Sequence, residues 1–508
     1  MSCNMDAPEI PLLLALPSEL INHILSYLDL SDLLSVGLVN RALNEHSIQD
    51  TLWQPFVQAQ TPASTIPKPA NQTWRALFKQ HHPYWFLTRR KIWFADIAHT
   101  GKLLIARYDH RINAIEAYAL VAERRQPTFQ TWEYNPDAII HTFSPRVQLD
   151  LNAPVIRIDA ESYEYATGDV GYRLQKEIPM NVFNSSPRSS AGLYSRLMLT
   201  RPWPQDITTA ATPVWPPLTL PSTERTRNDP PPSGYRQAAS KPAMFDQLST
   251  STLRIRKWME FSSRHLGVSM RVGEDISTWA TLPEECYTPT PQKPWQGIWC
   301  GDYAGHGCEF LVVMQPDDPK PLPERAEWAL RAREREGSVS STGSWSTAPT
   351  DAALSGDEDE PETADDLEDS VATLQEAFHG QESASPAPEV STGEDEAVYH
   401  GRIEAVKLTG DPNIPRGEYT FIAPDIGPGG LLRVASEDIF KGARIVKSVG
   451  HIAANGFRDG EQLIPRRSLK AMLIHCRQLY DFATYPHLAR SASAVLGDFW
   501  ACVVLSAG

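Results

Sequence analysis

The chain has 508 residues, 42 of them proline, with 21% charged residues and a net charge of −15. Sixteen acidic residues and no Lys or Arg fall between Asp351 and Glu396, so that segment alone carries −16 and the remainder is close to neutral. A near-neutral remainder gives no case for electrostatic capture of nucleic acid, because such binding needs clustered Lys and Arg to displace counterions from many phosphates.

At the start, "PLLLALP" is too short for a membrane span, and Asp6 and Glu9 precede it where a signal peptide has basic residues. The six cysteines, Cys3, Cys286, Cys300, Cys308, Cys476 and Cys502, lack the dense spacing of a disulfide framework. A cytoplasmic or nuclear location, or both, is the expectation. Residues 9–58 read as a compact unit of three short helices. Leu20, Ile21, Ile24, Leu25 and Leu28 share one side of a first helix whose first turn holds Pro17 and Glu19. That helix is expected to end near Leu28. Ser31 is expected to cap a second helix with a Leu33, Leu34, Leu38 and Val39 stripe, and a third begins around Asn40. So small a core is usually completed by a neighbour or a partner.

Residues 59–90 read as a connecting helical segment. From Lys91 the period changes to short alternating runs with turn signals such as Thr100-Gly101, which predicts antiparallel β structure over 91–200. Residues 201–245, with "PVWPPLTLP" and "NDPPPSG", predict a disordered Pro-rich insertion. The β domain resumes over 246–315, with "TLRIRKWMEFSSRH" expected as a helix inside it and "WQGIWCGDYAGHGCEFLVVM" as two strands around a Gly-rich bend. Trp295 and Trp299, at even spacing, point to one face and predict core. Residues 316–397 open with "RAEWALRAREREG", a helical stretch, and continue as an acidic disordered insertion that cannot bury enough apolar surface to offset chain entropy. Strands return over 398–476, and 477–508 form a tail of uncertain structure. The fold class is α+β: a three-helix N-terminal unit, then a mainly antiparallel, barrel-like β domain. One closed or nearly closed barrel is expected, because closure removes exposed strand edges.

The segment "VKLTGDPNIPRGEYTF", Val406 to Phe421, has two strand-like arms around a centre where Pro412 and Pro415 forbid regular pairing. Ten residues stand where a hairpin needs two. Asp411 and Asn413 either bond their own backbone in a rigid turn or, with Ile414 and Arg416, form a binding lip. His306, between Gly305 and Gly307, either holds the bend or lines a groove with Tyr303. The spacing of Cys300, His306 and Cys308 matches no usual zinc pattern, and no metal or other cofactor is expected. No Gly-x-Ser-x-Gly, P-loop or His-Glu-x-x-His motif is present, and the His81-His82 pair beside Pro83 has no partnered carboxylates, so an enzyme is not predicted.

"LPSELINHILSYLDLSDLLSVGLVNRALNE", with its Leu16-Pro17 opening and its Val39-Asn40-Arg41, resembles an F-box. "WQGIWCGDYAGHGCEFLVV", followed after an acidic insert by "VKLTGDPNIPRGEYTF", is similar to the β domain of the F-box only protein 31 family, described in animal members as a D-type cyclin-binding domain. The likeness covers roughly residues 12–57, 84–160 and 290–465; from His475 onward the chain departs from the family's closing strands. The resemblance implies a non-catalytic substrate-recognition subunit of a cullin-based, SCF-type ubiquitin ligase. In it, Leu16, Pro17, Leu20, Ile21, Ile24, Leu28, Leu33 and Leu34 would bind a Skp-type adaptor and, through it, a cullin. Asp411, Asn413, Ile414, Arg416, His306 and Tyr303 would hold a substrate peptide, expected to be a C-terminus. An ionised Asp411 would repel a terminal carboxylate and accept hydrogen bonds from a carboxamide, whereas Lys407 and Arg416 would pull the other way. Two further readings of the residues are a barrel for a small apolar ligand and a scaffold using its acidic insert to bind basic partners.

Overall fold

The computed structural model describes residues 12–62, 64–95, 97, 100–123, 128–132, 135–142, 146–164, 174–180, 182, 191–202, 216–217, 219–222, 240–263, 268–303, 307–336, 399–410, 416–434, 444–452, 456–459, 471–478 and 501–506. The chain divides into two units, one comprising 1–330 with 400–508 and the other 331–399. In the second unit the described residues are 331–336 and 399.

After a 3-10 turn at Leu12–Ala15 come α1 (Ser18–Leu25), α2 (Leu30–Val36), α3 (Arg41–Ser47) and α4 (Asp50–Gln58). The connecting segment adds α5 (Trp74–His81) and α6 (Phe86–Arg90). Three of these helices are capped by residues suited to the task. Asp29 accepts from Asp32 N at 2.9 Å, Asn40 from Leu43 N at 2.9 Å, and Thr73 from Ala76 N at 3.1 Å, each satisfying an otherwise orphaned donor. The predicted cap at Ser31 is corrected: Ser31 lies inside α2 and donates its hydroxyl to the true cap, Asp29. α1 stops at Leu25, one turn earlier than the periodicity suggests.

The β portion begins with β1 (Ile92–Ala95), β2 (Lys102–Asp109), β3 (Ala114–Glu123), the hairpin β4 (Thr128–Trp132) and β5 (Asn135–Thr142), β6 (Arg146–Leu149) and β7 (Ile156–Ile158). α7 (Ala160–Glu164), β8 (Ile178–Pro179), β9 (Ala191–Leu199), β10 (Thr252–Ser263) and β11 (Val268–Thr281) follow. A first antiparallel sheet runs β6-β3-β2-β1-β11-β10-β9-β8, with β7 also paired to β3. The helix expected at "TLRIRKWMEFSSRH" is therefore corrected to the strand β10. Leu253 and Ile255 are buried on one face and Arg254, Arg256 and Trp258 on the other, so the strand is covered on both faces although its start alternates apolar and polar residues.

After α8 (Glu284–Tyr287) come β12 (Gly297–Tyr303), β13 (Gly307–Met314), α9 (Glu324–Glu336), β14 (Ile403–Lys407), β15 (Tyr419–Ala423), β16 (Leu431–Val434), β17 (Arg444–Val446), β18 (Val449–Ile452), β19 (Gly456–Asp459), β20 (Ala471–Gln478) and β21 (Ala501–Ser506). The second sheet runs β19-β18-β15-β14-β13-β12-β20-β21, while β16 and β17 pair with each other. The charged stretch at 324–336 is helical, as its composition predicted.

One core joins the helices to the first sheet: Ile21, Leu33, Trp53, Leu77 and Trp85 share a cluster with Trp93, Leu104, Ile156 and Trp279. The opposite face of that sheet, through Phe94, Leu103 and Ile105, packs against Ile298, Phe310, Val312 and Val406 of the second sheet. The predicted closed barrel is thus replaced, among the described residues, by two open sheets packed face to face, because an apolar layer between sheets buries the same side chains that ring closure would. On the outer face of the second sheet, Trp299 is buried with Phe421, and Trp295 packs against them as its spacing implied. The Pro-rich segment is not wholly an excursion: Pro216 and Pro217 are buried, Leu220 packs into the layer between the sheets, and Ser222 N donates to Gly417 O at 2.6 Å.

Candidate functional site

Two regions concentrate chemistry that the fold does not consume. The first is the outer side of the N-terminal helices. Successive positions on a helix differ by about 100°, so Leu20 and Ile21 diverge although adjacent. Ile21 and Leu25 face the shared core, and Leu20 and Ile24 face solvent at 49% and 44% exposure. Leu16, Pro17, Leu34, Leu38 and Val39 are exposed as well, and Leu28 is half-buried against the core. Of the eight residues expected at an adaptor surface, Ile21 and Leu33 are therefore corrected to interior positions, at 3% and 0% exposure. The exposed set gains members that the motif did not single out, Leu12, Leu13 and Tyr27. A run of large apolar side chains left in water on an otherwise ordinary helical unit is a signature of a partner surface.

These helices are fastened to the sheet by a polar network as well as by apolar packing. His81 of α5 is fully buried, with Nδ1 2.8 Å from the Tyr163 hydroxyl and Nε2 2.9 Å from Asn113 Oδ1. Asn113 sits in the β2–β3 turn with φ +49°, a left-handed conformation that asparagine tolerates. Its Nδ2 donates to Gln80 Oε1 and its Oδ1 accepts from the Tyr108 hydroxyl. Because Oδ1 accepts, the His81 proton lies on Nε2 and Nδ1 accepts from Tyr163. Burial lowers the His81 pKa to about 4, with Asn113 pulling upward, so the ring is neutral.

The second region is where Leu408 to Glu418 leaves β14 and returns along β15. Leu408 N and Thr409 N both donate to Phe310 O, and Thr409 Oγ1 accepts from Phe310 N at 2.9 Å, which lays the loop's first arm along β13. Gly410 N donates to Thr100 O at 2.6 Å, tying it to the β1–β2 turn. Gly410 has φ +123°, and a Cβ there would stand 2.2 Å from the Glu309 carboxyl, so only glycine fits. Beneath it Lys407 Nζ lies 3.3 Å from Glu309 Oε1, both side chains withdrawn from water. Arg416 is buried too: its Nη1 donates to Gly410 O at 3.1 Å, and its Cδ packs where a Cβ on Gly101 would be. The expectation that Arg416 reaches out as part of a lip is thereby corrected; its length is used to brace the loop from within. The tip of the β12–β13 hairpin lies two residues along from Glu309, with Tyr303 paired to Gly307. The structure thus brings together the two sequence segments singled out beforehand. Asp411, Asn413, Ile414 and His306 lie outside the described residues, and only the backbone of Tyr303 is described.

Further along β14 and β15, Arg402 Nη2 is 2.8 Å from Glu404 Oε1, and the Tyr419 hydroxyl donates to Glu404 Oε2 at 3.3 Å. Burial raises the Glu404 pKa while Arg402 lowers it, and burial, with Glu404 beside it, pushes the Tyr419 hydroxyl up to about 12. Among the described residues no helix is long and apolar enough to cross a membrane.

Comparison with known protein families separates the same two regions. Residues 13–59 match the F-box-like model, and residues 279–493 match the Cyclin D1 binding domain model. The second match continues past His475, where the sequence had looked divergent. No curated protein matches the chain.

Proposed function

For a chain with the F-box plus cyclin-binding composition of the F-box only protein 31 family, we propose the role of receptor that presents a substrate's C-terminal peptide at the 408–418 loop to an SCF-type ubiquitin ligase. The F-box indicates the substrate-recognition position in such a ligase, with a Skp-type adaptor and cullin as partners and the transfer chemistry left to the partner enzymes. The observation that carries the reading is the exposed set of Leu20, Ile24 and Leu34 on helices whose other side is one core with the first sheet, with Leu16 and Leu38 exposed just outside them. Such a surface is worth burying only against a partner.

The peptide part of the reading is supported by the bracing of the loop. Thr409, Gly410 and Arg416, which flank residues 411–415, are each held by a hydrogen bond, so the points where the loop leaves and rejoins the sheet are fixed, which lowers the cost of ordering a ligand there. The two cations expected to attract a carboxylate, Lys407 and Arg416, are turned inward to Glu309 and Gly410 O. Of the loop's two acidic side chains, Asp411 and Glu418, the reading assigns the choice of end group to Asp411, which favours a neutral carboxamide over a carboxylate. Calorimetry with matched peptides ending in carboxamide or carboxylate tests this on wild type and Asp411→Asn. The expected preference for the carboxamide is about tenfold to a hundredfold, the worth of a charge-assisted hydrogen bond, and it should shrink in the variant. An unaltered ratio in Asp411→Asn would make Asp411 a turn residue and overturn the assignment. The small-ligand barrel is disfavoured because Phe94, Leu103, Phe310 and Val406 occupy the layer between the sheets.

A further inference from the structure

Strands β9, β10 and β11 of the first sheet gather cations around one aromatic ring, on elements that neither region above uses. Trp258 of β10 is 4% exposed, and Tyr194, its register partner on β9, stacks on it at 5.5 Å with 13° between the planes. The guanidinium carbons of Arg256, Arg271 and Arg196 stand 4.7, 5.2 and 5.5 Å from the Trp258 ring centroid. They come from three neighbouring strands, and the β10–β11 ladder shifts register beside Trp258, with Gly273 at φ +65°. A bulge of this kind re-aims the side chains around it.

Like charges this close repel, and the acids present offset them unequally. Glu177 is shared by Arg256 and Lys241, the latter at 3.2 Å, and Glu274 Oε1 is 3.5 Å from Arg256 Nη1. Both of those cations are buried, so Glu177 and Glu274 serve the interior. Arg196 is half-buried and Arg271 exposed, with 41% and 56% of their side chains in water. Arg196 comes no closer than 3.9 Å to Glu177, beyond hydrogen-bonding reach. Arg271 engages Glu260 through Nε alone, at 3.4 Å, while the same Glu260 oxygen accepts from Trp258 Nε1. Among the described residues, the terminal nitrogens of Arg196 and Arg271 thus keep open donors, and both guanidiniums are already oriented on the indole. Tyr194, itself 46% exposed, places a ring and a hydroxyl beside them.

We propose that this cluster binds an acidic peptide segment, with Arg196 and Arg271 each gripping one carboxylate or phosphate and the Tyr194 ring flanking the chain between them. A planar guanidinium held in place matches such groups in bidentate fashion and loses little freedom on binding. Two open forks suit a ligand with two anionic groups a short distance apart rather than a lone ion. The site lies on the sheet opposite to the one that carries the 408–418 loop, and it goes beyond the receptor reading, since it holds whether or not that loop binds a C-terminus.

The test is fluorescence anisotropy on the full chain with three labelled peptides of one length: Glu-rich, the same with phosphoserine at two positions, and the neutral Gln analogue. Either anionic peptide should bind at least about tenfold more tightly than the Gln form, and Arg196→Gln with Arg271→Gln should remove that difference. Arg196→Lys with Arg271→Lys keeps the charges but loses the forks, and should restore only part of it. Preference for phosphoserine or for glutamate identifies the source of the anion; both support the site. Equal binding of the Gln peptide, or unchanged affinity in the double Gln variant, overturns it. So does arginine-dependent capture of anionic lipid vesicles without capture of the peptides. If the double variant does not fold, Arg271→Glu alone, at the more exposed position, must abolish anionic binding for the proposal to stand.

Discussion

Lys407 and Glu309 form an ion pair at 3.3 Å on adjacent strands, with 0% and 1% of their side chains exposed, beneath the backbone of Gly410. A buried carboxylate deprived of its cation costs far more than the pair contributes. Lys407→Met should therefore destabilise the protein by roughly 3–5 kcal/mol. Adding Glu309→Gln should recover part of the loss by removing the stranded charge. Urea denaturation of the wild type and the two variants checks both statements; a Lys407→Met loss below about 1 kcal/mol would mean that water reaches the pair.

Gly410→Ala separates loop geometry from global stability. The added methyl would meet the Glu309 carboxyl at 2.2 Å in a backbone conformation unfavourable to alanine, so the loop must shift. Peptide affinity should fall about tenfold or more, while adaptor binding stays at the wild-type level, since a displacement of about 1 Å in a binding site costs that much. Calorimetry with peptide and with adaptor on one preparation measures both; equal loss of the two would indicate misfolding rather than a displaced loop.

At the helical surface, Leu20→Asp with Ile24→Asp should abolish adaptor capture and leave the melting temperature nearly unchanged, because both side chains already stand in water. Ile21→Asp should instead unfold the unit, its side chain being 3% exposed. A Leu20/Ile24 variant that still captures the adaptor would remove the F-box assignment of this surface.

His81 predicts an acid-side loss of stability. Its folded pKa of about 4 lies below the ordinary 6.5, so the unfolded chain takes up the proton first. The contribution is complete above pH 6.5 and declines as the pH falls from there to about 4, by about 3 kcal/mol in all. His81→Gln should show a shallower decline over that window in chemical denaturation at stepped pH; identical slopes would assign the acid sensitivity to other groups.

The helical unit and the antiparallel β character were legible because each follows from periodicity. The division of the adjacent Leu20 and Ile21 between water and core was not, because a stripe shows which residues are apolar and not where the neighbouring sheet lies. β10 was misread although Leu253, Arg254, Ile255 and Arg256 alternate as a strand does, because the alternation is broken at Lys257, Trp258 and Met259, where the ladder with β11 shifts register. The meeting of Thr409 and Gly410 with Phe310 and Glu309 of β13 was anticipated from resemblance alone. The inward turn of Lys407 and Arg416 was not, since both read as long, solvent-seeking side chains until Glu309 and Gly410 O are placed beside them.

The core shared by the helices and the first sheet, pinned at His81 and Asn113, has a geometric consequence for ubiquitin transfer. Among the described residues the helices and the first sheet share one core, so, on the receptor reading proposed above, the distance between ligase and peptide loop would be set like the arm of a caliper. A substrate tethered by its tail would then be selected by the length of its own flexible leader. Lysines within the reach of that leader fall under the transferring enzyme, with a reach that grows only as the square root of the residue number, and lysines beyond it are spared.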